Sequence, residues 1–398
     1  MSAFPERAVT RTVNMKFSGT EMRFHLSHAL FSSNRIDDGT MLLLKTLAQQ
    51  EAIPVQGNAL DAGCGVGPLA VAMAHHRPGL AVTATDRLVL AVAFTAENAR
   101  LNNVAVAVMP GLLLETPVPG GGWDLIVSNL PAKAGERVLR DFFCRSLQQI
   151  SPGGLVAIVL VSTLAAWAVE VLGDCGAQVV YVEESPAYRV FHYRRPAVWP
   201  SKKVPQGAAT PFPAAYLRGT MTFAVGTKTF SQNTYFGLPN FDALDYRWKV
   251  SEALLALPIW KRASLLVWEP VQGHVATLLA SALAPGGTLH LAGNDVLALR
   301  ATACQLPEAV THPVAGPQFL AGRLGEVQGA VFQVHSEPEV PWVDEARTAL
   351  VDLLPAGAPL LINGTSTDLA RFLEAHKGLR KQRDEKYRGW RAVLFQRT

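Results

Sequence analysis

The fold class of this chain is decided by residues 60–67, which read Leu-Asp-Ala-Gly-Cys-Gly-Val-Gly. Apolar residues lead into this stretch as a strand, and a run of small residues from Pro68 to His75 follows it as a helix. Glycines suit such a junction because the backbone must turn sharply and approach a ligand closely. The stretch therefore predicts a strand, a glycine loop and a helix in an α/β fold.

The glycine spacing and the acid that precedes it constrain the ligand. The spacing is G-x-G-x-G and not the G-x-G-x-x-G of nicotinamide and flavin enzymes. A carboxylate at Asp61 would repel a pyrophosphate, whereas it would attract a cationic methionine moiety. The loop therefore favours a positively charged cofactor without phosphate. The alternative is a glycine-rich turn that binds nothing.

A second acidic residue follows at the end of the next predicted strand. Asp86 lies about 20 residues beyond Gly67, where a carboxylate can accept hydrogen bonds from both hydroxyls of a ribose. Many strands also end in an Asp that caps a helix. Together with the glycine loop, Asp86 predicts a ribose contact, and we include the neighbouring Arg87 among the cofactor-binding candidates.

A third strand leads into Asn129, Leu130 and Pro131. The Asn129 oxygen can accept a hydrogen bond from an exocyclic amine, and the Leu130 carbonyl can accept a second one. Pro131 fixes the turn at the edge of the sheet where ligands bind in such folds. The motif predicts methyl transfer to a planar amine. A strand-end Asn that only makes a turn is the alternative.

Strands and helices alternate throughout the first half of the chain. The expected strands cover residues 59–61, 80–85, 123–128 and 155–161, and the expected helices cover 68–75, 88–101 and 136–150. Such alternation is typical of a doubly wound parallel sheet with helices on both faces.

The chain of 398 residues is long enough for two domains. We expect a catalytic domain at 1–195, a Pro-rich linker at 196–215 and a second domain at 216–398 that arose by duplication. The duplication is inferred from residues at similar spacings in the two halves: Phe31, Asp61, Asp86, Asn129, Pro152 and Tyr188, then Phe236, Glu269, Asp295, His335, Pro355 and Tyr387.

The second copy lacks the parts of a cofactor site. Residues 269–273, Glu-Pro-Val-Gln-Gly, stand where the glycine loop should be, and residues 333–338 replace the Asn-x-Pro motif. Glu269 is expected to mimic Asp61 in charge, and Asp295 to survive as a helix cap or a ribose ligand. We therefore expect a degenerate doubly wound domain.

Composition excludes several other classes of protein. Hydrophobic residues make up 49% of the chain, charged residues make up 17%, and the net charge is +4, which argues against disorder and permits a phosphate-bearing partner. The four cysteines have no CxxC or zinc spacing, so we expect reduced thiols and no metal site. No signal peptide or bilayer-spanning run is evident, so a cytoplasmic protein with no membrane role is expected.

The three motifs, in this order, resemble those of class I S-adenosylmethionine-dependent methyltransferases. Residues 31–44, Phe-Ser-Ser-Asn-Arg-Ile-Asp-Asp-Gly-Thr-Met-Leu-Leu-Leu, resemble the segment before the cofactor loop in the ribosomal RNA guanine-N2 methyltransferase family, which carries a "methyltransferase small" domain. Residues 132–136 and 188–190 also resemble members of that family. The family includes tandem pairs in which one copy is degenerate.

The resemblance implies a role for each motif residue. It assigns the methionine end of S-adenosylmethionine to Asp61, Gly63, Gly65 and Gly67. Asp86 would contact the ribose, Asp37 and Gly39 would line the cofactor pocket, and Asn129 with Pro131 would face the target amine. The family pattern is Asn-Pro-Pro followed by an aromatic or aliphatic residue. Here Leu130 and Ala132 replace the second and fourth positions, and residues 111–114 lack the usual acid near the adenine.

The resulting hypothesis is an RNA methyltransferase that acts on an exocyclic base amine, with guanine N2 of ribosomal RNA as the favoured acceptor. A methyltransferase for a small molecule or a protein glutamine is the first alternative, favoured by the altered Asn129 motif. A non-catalytic ribosome-assembly or scaffold protein is the second. The sequence leaves the oligomeric state open.

Overall fold

The structure is a computed structural model that describes residues 4–199, 214–321, 323–334, 342–374 and 378–398. Contacts between Cα atoms divide the chain into two compact units, Ala3–Ala209 and Thr210–Thr398, which we call the N-terminal and C-terminal domains. Residues 200–213 of the expected linker lie outside the described residues, and the domain limits drawn from the sequence stay a proposal.

The N-terminal domain begins with a hairpin and continues with alternating strands and helices. Its strands are β1 (Arg11–Phe17), β2 (Thr20–Leu26), β3 (Gln56–Ala62), β4 (Gly79–Asp86), β5 (Ala107–Pro110), β6 (Trp123–Asn129), β7 (Ile150–Val161), β8 (Gln178–Glu184) and β9 (Tyr188–Arg194). Its helices are α1 (Asp38–Gln49), α2 (Pro68–His76), α3 (Val89–Leu101), α4 (Glu136–Gln149) and α5 (Ala165–Asp174).

The C-terminal domain repeats this order of elements. Its strands are β10 (Leu217–Val225), β11 (Lys228–Tyr235), β12 (Ser264–Trp268), β13 (Thr288–Gly293), β14 (Val310–Pro313), β15 (Ala330–Gln333), β16 (Pro359–Thr365), β17 (Leu379–Tyr387) and β18 (Trp390–Arg397). Its helices are α6 (Tyr246–Leu255), α7 (His274–Ala280), α8 (Val296–Gln305), α9 (Trp342–Leu353) and α10 (Ser366–Glu374).

The two main sheets have the same topology. The strand order is β5-β4-β3-β6-β7-β9-β8 in one and β14-β13-β12-β15-β16-β18-β17 in the other. The first five strands of each are parallel, and the last two form an antiparallel edge. The order in which strands are added to the sheet reverses between β3 and β6, which lie side by side and parallel, and ligands bind at such a switch point. The predicted fold class, two doubly wound α/β domains, is confirmed.

Burial of small residues brings helix α2 close to the sheet. The segment 68–74 of α2 is buried along its whole length and is dominated by alanine, valine and leucine. Short side chains let the helix pack tightly over β3 and β4, and Gly67 begins it with φ of 85°. The glycine loop is consequently held between a buried strand and a buried helix.

The residue matches proposed between the two copies are wrong in register, although the duplicated plan is right. Tyr188 pairs with Val161 in the same way that Trp390 pairs with Thr365, so Trp390 and not Tyr387 is the counterpart of Tyr188. Ser32 and Asn240 share a left-handed conformation at the same place, which makes Pro239 rather than Phe236 the counterpart of Phe31.

Similar spacing in sequence hid these shifts because loops between equivalent strands differ in length by one to a few residues. Gly153 and Gly357 have φ of 83° and 80°, so Pro355 corresponds to Ser151 and not to Pro152. His335 lies outside the described residues.

The expectation of reduced thiols is wrong for two of the cysteines. Cys144 in α4 and Cys175 at the end of α5 form a disulfide, with their Cα atoms 5.1 Å apart. These residues are 31 positions apart in sequence and meet only because α4 and α5 pack side by side. Cys64 is a buried free thiol and Cys304 is an exposed one.

Within the described parts of the chain, no helix has the length and apolar character needed to cross a membrane.

Candidate functional site

The glycine loop between β3 and α2 has the backbone geometry that its sequence predicts. Gly63, Gly65 and Gly67 have φ of 82°, 58° and 85°, which are left-handed values. A Cβ atom on Gly65 would meet nothing within 4 Å, whereas one on Gly67 would lie 2.8 Å from Thr95 Cγ2. Gly65 thus borders open space, and Gly67 is required by the packing of α3 against the loop.

Asp61 is completely buried behind this loop. Its Oδ2 accepts a hydrogen bond from the Ala70 amide at 3.0 Å, and its Oδ1 has no partner among the described residues. Burial raises the pKa of Asp61 to about 7, with the Ala70 amide opposing and the nearby Asp86 adding to the shift. A cationic or hydrogen-donating group placed near Oδ1 would favour the ionised carboxylate.

Asp86 joins the loop to the following helix. Its Oδ2 accepts from the Gly65 amide at 3.0 Å, and its Oδ1 accepts from the Leu88 amide at 2.9 Å. A carboxylate can accept several hydrogen bonds, so the bonds that hold the loop are compatible with a ligand contact at Asp86. Arg87 is half-buried beside it.

A polar cluster lies opposite the loop, at the end of β6 and the start of α1. Asn129 Nδ2 donates to Asp37 Oδ2 at 2.8 Å and to Thr40 Oγ1 at 3.0 Å. Asp37 caps α1 through the Thr40 amide, and its Oδ1 accepts from the Tyr188 hydroxyl at 3.0 Å. These bonds hold the Asn129 amide in one orientation.

Gly39 allows this cluster to form. A Cβ atom there would lie 2.8 Å from both Asp37 Oδ2 and the Tyr188 ring. Burial and the bond to Asp37 raise the pKa of the Tyr188 hydroxyl, so it remains a protonated donor. A larger residue at Gly39 would displace Tyr188, Asp37 or both.

Leu130 and Pro131 follow Asn129 with different exposures. Leu130 is buried in the core, and its amide donates to the Val159 carbonyl at 2.9 Å in the neighbouring strand β7. Pro131 is exposed. The departure from Asn-Pro-Pro therefore adds one hydrogen bond of the sheet edge, because a proline at position 130 could not donate it.

One pocket brings together four of the eleven expected residues, namely Asp37, Gly63, Gly65 and Asn129. It is lined by Phe31, Ser32, Ile36, Asp37, Thr40, Gly63, Cys64, Gly65, Val66, Pro68, Leu69 and Asn129. Asp61, Asp86 and Gly39 support this lining from behind through the contacts described above. Gly67, Arg87, Leu130 and Pro131 are not part of the lining.

Sequence reasoning missed Thr40, Tyr188 and Phe31 as site residues. Thr40 was detectable as the fourth residue of an Asp-x-x-Thr helix start. Tyr188 was noted as part of a family-like motif and as a marker of the duplication, but its bond to Asp37 spans 151 positions. Phe31 is 68% exposed at the pocket, so it supplies an aromatic face although position 132 has none.

The C-terminal domain has the same loop backbone with different residues. The Glu269 amide bonds the Ala292 carbonyl as the Gly63 amide bonds the Thr85 carbonyl, so Glu269 replaces Gly63. The expectation that Glu269 mimics Asp61 is therefore wrong, since Val267 holds the Asp61 position in the sheet.

Asp295, the expected counterpart of Asp86, also lies at a different position. Gly293 takes the place of Asp86 in the sheet, and Asp295 caps α8 by accepting from the Leu297 amide. The Glu269 carboxylate fills the space over Gly293 and accepts from the Asn294 amide at 2.7 Å.

The described residues contain no group of three or more His, Cys, Asp or Glu side chains that could hold a metal ion.

Comparison with known proteins matches the N-terminal domain to a family. Residues 21–192 match the model described as "Methyltransferase small domain". Ribosomal RNA small subunit methyltransferase C of Pasteurella multocida is 31% identical over 143 residues, which cover 35% of this chain and 42% of that protein. The protein YbxB of Bacillus subtilis is 25% identical over 187 residues, 46% of this chain and 92% of its own length.

A solved structure matches both domains in fold. The Thermus thermophilus 16S rRNA N2 G1207 methyltransferase, in complex with AdoMet and guanosine, superposes with a TM-score of 0.67 over 98% of this chain and 99% of its own. The sequence identity is 14%, so this likeness concerns the fold. The chain matches less than half of the length of the Pasteurella relative.

Proposed function

We propose, on the premise that residues 21–192 belong to the methyltransferase small domain family, that this protein transfers a methyl group from S-adenosylmethionine to an exocyclic amine of an RNA base. Guanine N2 of ribosomal RNA is the acceptor that we favour. The observation that carries the proposal is the meeting of the glycine loop and Asn129 in one pocket at the switch point of the sheet. The names of relatives such as the Pasteurella enzyme support the choice of RNA.

The residues of the pocket fit S-adenosylmethionine. Behind the pocket lining, Asp61 Oδ1 is a buried acceptor with no partner among the described residues. The space beside Gly65 is open to a ligand. We assign Asp86 to the ribose hydroxyls, because a carboxylate can accept several hydrogen bonds. When bound, the cofactor supplies an electrophilic methyl group on a positively charged sulfur.

Asn129 is the residue that we assign to the acceptor amine. Because its Nδ2 donates to Asp37 and Thr40, its Oδ1 is the atom available to orient an incoming amine. The Leu130 carbonyl follows it in the chain and can take a second amine hydrogen. Phe31 offers an exposed ring on which a planar base can stack. These residues position the acceptor, and positioning is the main contribution we assign to the protein.

The C-terminal domain is assigned no cofactor. Glu269 and Val271 replace two loop glycines and occupy the space that a ligand backbone contact would need. Because the proposed substrate is RNA, we also propose that the protein acts in the cytoplasm.

The test is a transfer assay on the full chain. The purified protein is incubated with methyl-labelled S-adenosylmethionine and small-subunit ribosomal RNA, and the RNA is digested to nucleosides for mass analysis. We expect labelled N2-methylguanosine. The Asn129→Ala variant should lose at least 100-fold in kcat while its cofactor affinity stays within threefold, because the lost contact acts on the acceptor.

The alternatives predict different products. Label in a small molecule or in protein glutamine, with none in RNA, would show that the methyl acceptor is that molecule and not RNA. Absence of both transfer and S-adenosylmethionine binding by calorimetry would favour the scaffold alternative and refute the proposal.

A further inference from the structure

The C-terminal domain contains a cavity of about 200 Å³ that the proposed methyl transfer does not use. It lies at the carboxyl edge of the second sheet. Its lining comes from the loop before α6, the start of α6, the glycine-like loop before α7 and the edges of β15, β16 and β18. This is the place that the cofactor and acceptor pocket occupies in the N-terminal domain.

The correspondence between the two pockets holds residue by residue. Asp245 caps α6 as Asp37 caps α1, and Gln333 stands at the register of Asn129. Further lining residues of the second cavity occupy the positions of N-terminal lining residues: Pro239, Asn240, Leu244, Trp248, Pro270, Val271, His274 and Val275. The duplicated domain has therefore kept the pocket while losing two of the three loop glycines.

The second pocket has larger and more aromatic walls than the first. Trp248 replaces Thr40, Trp390 replaces Tyr188, and Arg247 replaces Gly39. The Arg247 guanidinium carbon lies 4.9 Å from the centre of the Trp390 ring, and its Nη2 donates to the Val334 carbonyl at 3.0 Å. The attraction between the Arg247 cation and the Trp390 ring helps to hold both side chains in place.

Polar atoms remain available in this cavity. His274 Nε2 and Asn363 Oδ1 are buried, and neither has a partner among the described residues. Burial lowers the pKa of His274 to about 4, so its ring is neutral at pH 7 and can donate or accept. Buried polar atoms without partners are costly in a domain selected for stability alone, so a ligand that pairs with them has a physical basis.

Two side chains enter the part of the pocket that corresponds to the cofactor site. Val271 has φ of 57° where Gly65 has 58°, and its side chain adds bulk to the position that is open in the first domain. The Glu269 carboxylate lies over Gly293, in the region where Asp86 stands in the first domain. The remaining cavity of about 200 Å³ has room for a group smaller than a whole cofactor.

The rim of the cavity carries exposed aromatic and basic side chains. Tyr246 precedes Arg247, and Tyr387 pairs with Trp390 across the β17–β18 ladder. Arg388 donates to the Tyr246 hydroxyl at 2.8 Å, and its guanidinium carbon lies 5.4 and 5.5 Å from the Tyr246 and Tyr387 rings. Both tyrosines are more than a third exposed. Aromatic faces mixed with arginine are typical of surfaces that bind single-stranded nucleic acid.

We propose that this cavity binds one unpaired nucleobase of the RNA substrate, with the base against Trp390 and Trp248 and its edge paired with His274 and Asn363. Arg388 and the two tyrosines then receive the adjoining nucleotides. The proposal rests on RNA as the substrate of the N-terminal domain. In this proposal, the C-terminal domain binds a base other than the one that is methylated.

The direct test is a titration of the full chain observed through its indole N–H signals in nuclear magnetic resonance. Guanosine 5′-monophosphate and adenosine 5′-monophosphate are the probes, and ribose 5-phosphate is the matched ligand without a base. We expect the Trp390 and Trp248 signals to shift with at least one nucleotide and to stay unchanged with ribose 5-phosphate. Equal shifts with ribose 5-phosphate, or no shift with either nucleotide, would overturn the proposal.

A kinetic test follows the same site during turnover. We expect Trp390→Ala to raise KM for the RNA about tenfold, with kcat and cofactor affinity within twofold, because one stacking contact is lost. Trp390→Phe should restore KM to within threefold. Trp167→Ala is the control, since it removes a half-buried tryptophan from the N-terminal domain.

The outcomes separate the two proposals. An unchanged KM in Trp390→Ala with normal RNA methylation overturns the base-binding cavity alone. Loss of kcat and of thermal stability to the same extent in Trp390→Ala and Trp390→Phe indicates a structural role and also overturns it. Absence of RNA methylation in the wild-type protein overturns the proposed function, whereas the nucleotide titration still reports on the cavity.

Discussion

The loops before α2 and before α7 have nearly the same backbone but different sequences. Gly63 and Gly65 have φ of 82° and 58°, while Glu269 and Val271, at the same positions, have 52° and 57°. Left-handed values are rare for a residue with a side chain and especially for a β-branched one. The conformation therefore persists after the glycines are gone, held by matching turn bonds at 2.8 Å in both loops.

Only the third glycine is kept in both domains. Gly67 and Gly273 each lie against a threonine of the next helix, and a Cβ atom would approach Thr95 to 2.8 Å or Thr302 to 3.0 Å. Packing demands a glycine there with or without a ligand. The contrast shows that Gly63 and Gly65 are not needed for the loop itself, so we attribute them to the close approach of a cofactor.

Copying the second loop into the first should have the largest effect. In Gly65→Val, the side chain enters the open space beside the loop, and we expect cofactor affinity to fall about 10³-fold by calorimetry. The reciprocal Val271→Gly should leave the stoichiometry at one cofactor per chain. Tight cofactor binding by the Gly65→Val variant would contradict the assignment of Gly63 and Gly65 to cofactor binding.

The disulfide is a second difference between the domains. Cys144→Ser should lower the free energy of unfolding of the N-terminal domain by about 3 kcal/mol, because the bond closes a loop between residues 31 positions apart. Urea unfolding followed with and without reductant measures this. Cys304→Ser, an exposed thiol in the C-terminal domain, is the control and should change nothing. Identical unfolding of wild type in both conditions would contradict the bond.

A buried acid distinguishes β3 from β12, where Val267 stands. Because the folded pKa of Asp61 is about 7 and its ordinary value is 3.8, the unfolded state ionises first as the pH rises. Stability from this group is fully present below pH 4 and is lost as the pH rises towards 7. Between pH 5 and 8, wild type should lose about 2 kcal/mol relative to Asp61→Asn.

The comparison with Asp61→Asn is needed because His192 titrates in the opposite sense. Burial lowers its pKa to about 4, so its contribution is lost as the pH falls below 6.5. That contribution is common to both proteins and cancels in the difference. A pH-independent difference between wild type and Asp61→Asn would contradict the raised pKa.

The smallest effect should come from relieving the backbone strain at Val271 in the loop before α7. Val271→Gly removes a β-branched residue from a left-handed conformation, and we expect the C-terminal domain to gain about 1 kcal/mol in unfolding free energy. Calorimetric melting of the full chain measures the shift. Pro270→Ala, at the adjacent position, is a control that leaves φ of Val271 unrelieved. A loss of stability in Val271→Gly would mean that its side-chain contacts outweigh the strain.

Local signals were sufficient for the strand and helix pattern of the N-terminal domain. The expected strand at 123–128 and helix at 68–75 differ from the structure by a residue at their ends. The strand expected at 155–161 begins earlier, at Ile150, because Ile150 pairs with Trp123 across the sheet. Pairing between distant strands is a tertiary contact, and hydrophobic periodicity along one segment carries no information about it.

The sequence by itself determined the doubly wound fold, the glycine loop and the candidates Asp61, Asp86 and Asn129, since each follows from residue type and from spacing within one strand–loop–helix unit. Tertiary structure alone decided the rest. It joined Tyr188 to Asp37 across 151 positions, closed the disulfide between two helices, and put Glu269 at the position of Gly63. Sheet register and helix packing set these contacts, because the lengths of intervening loops vary while the hydrogen-bonded pairing of strands does not.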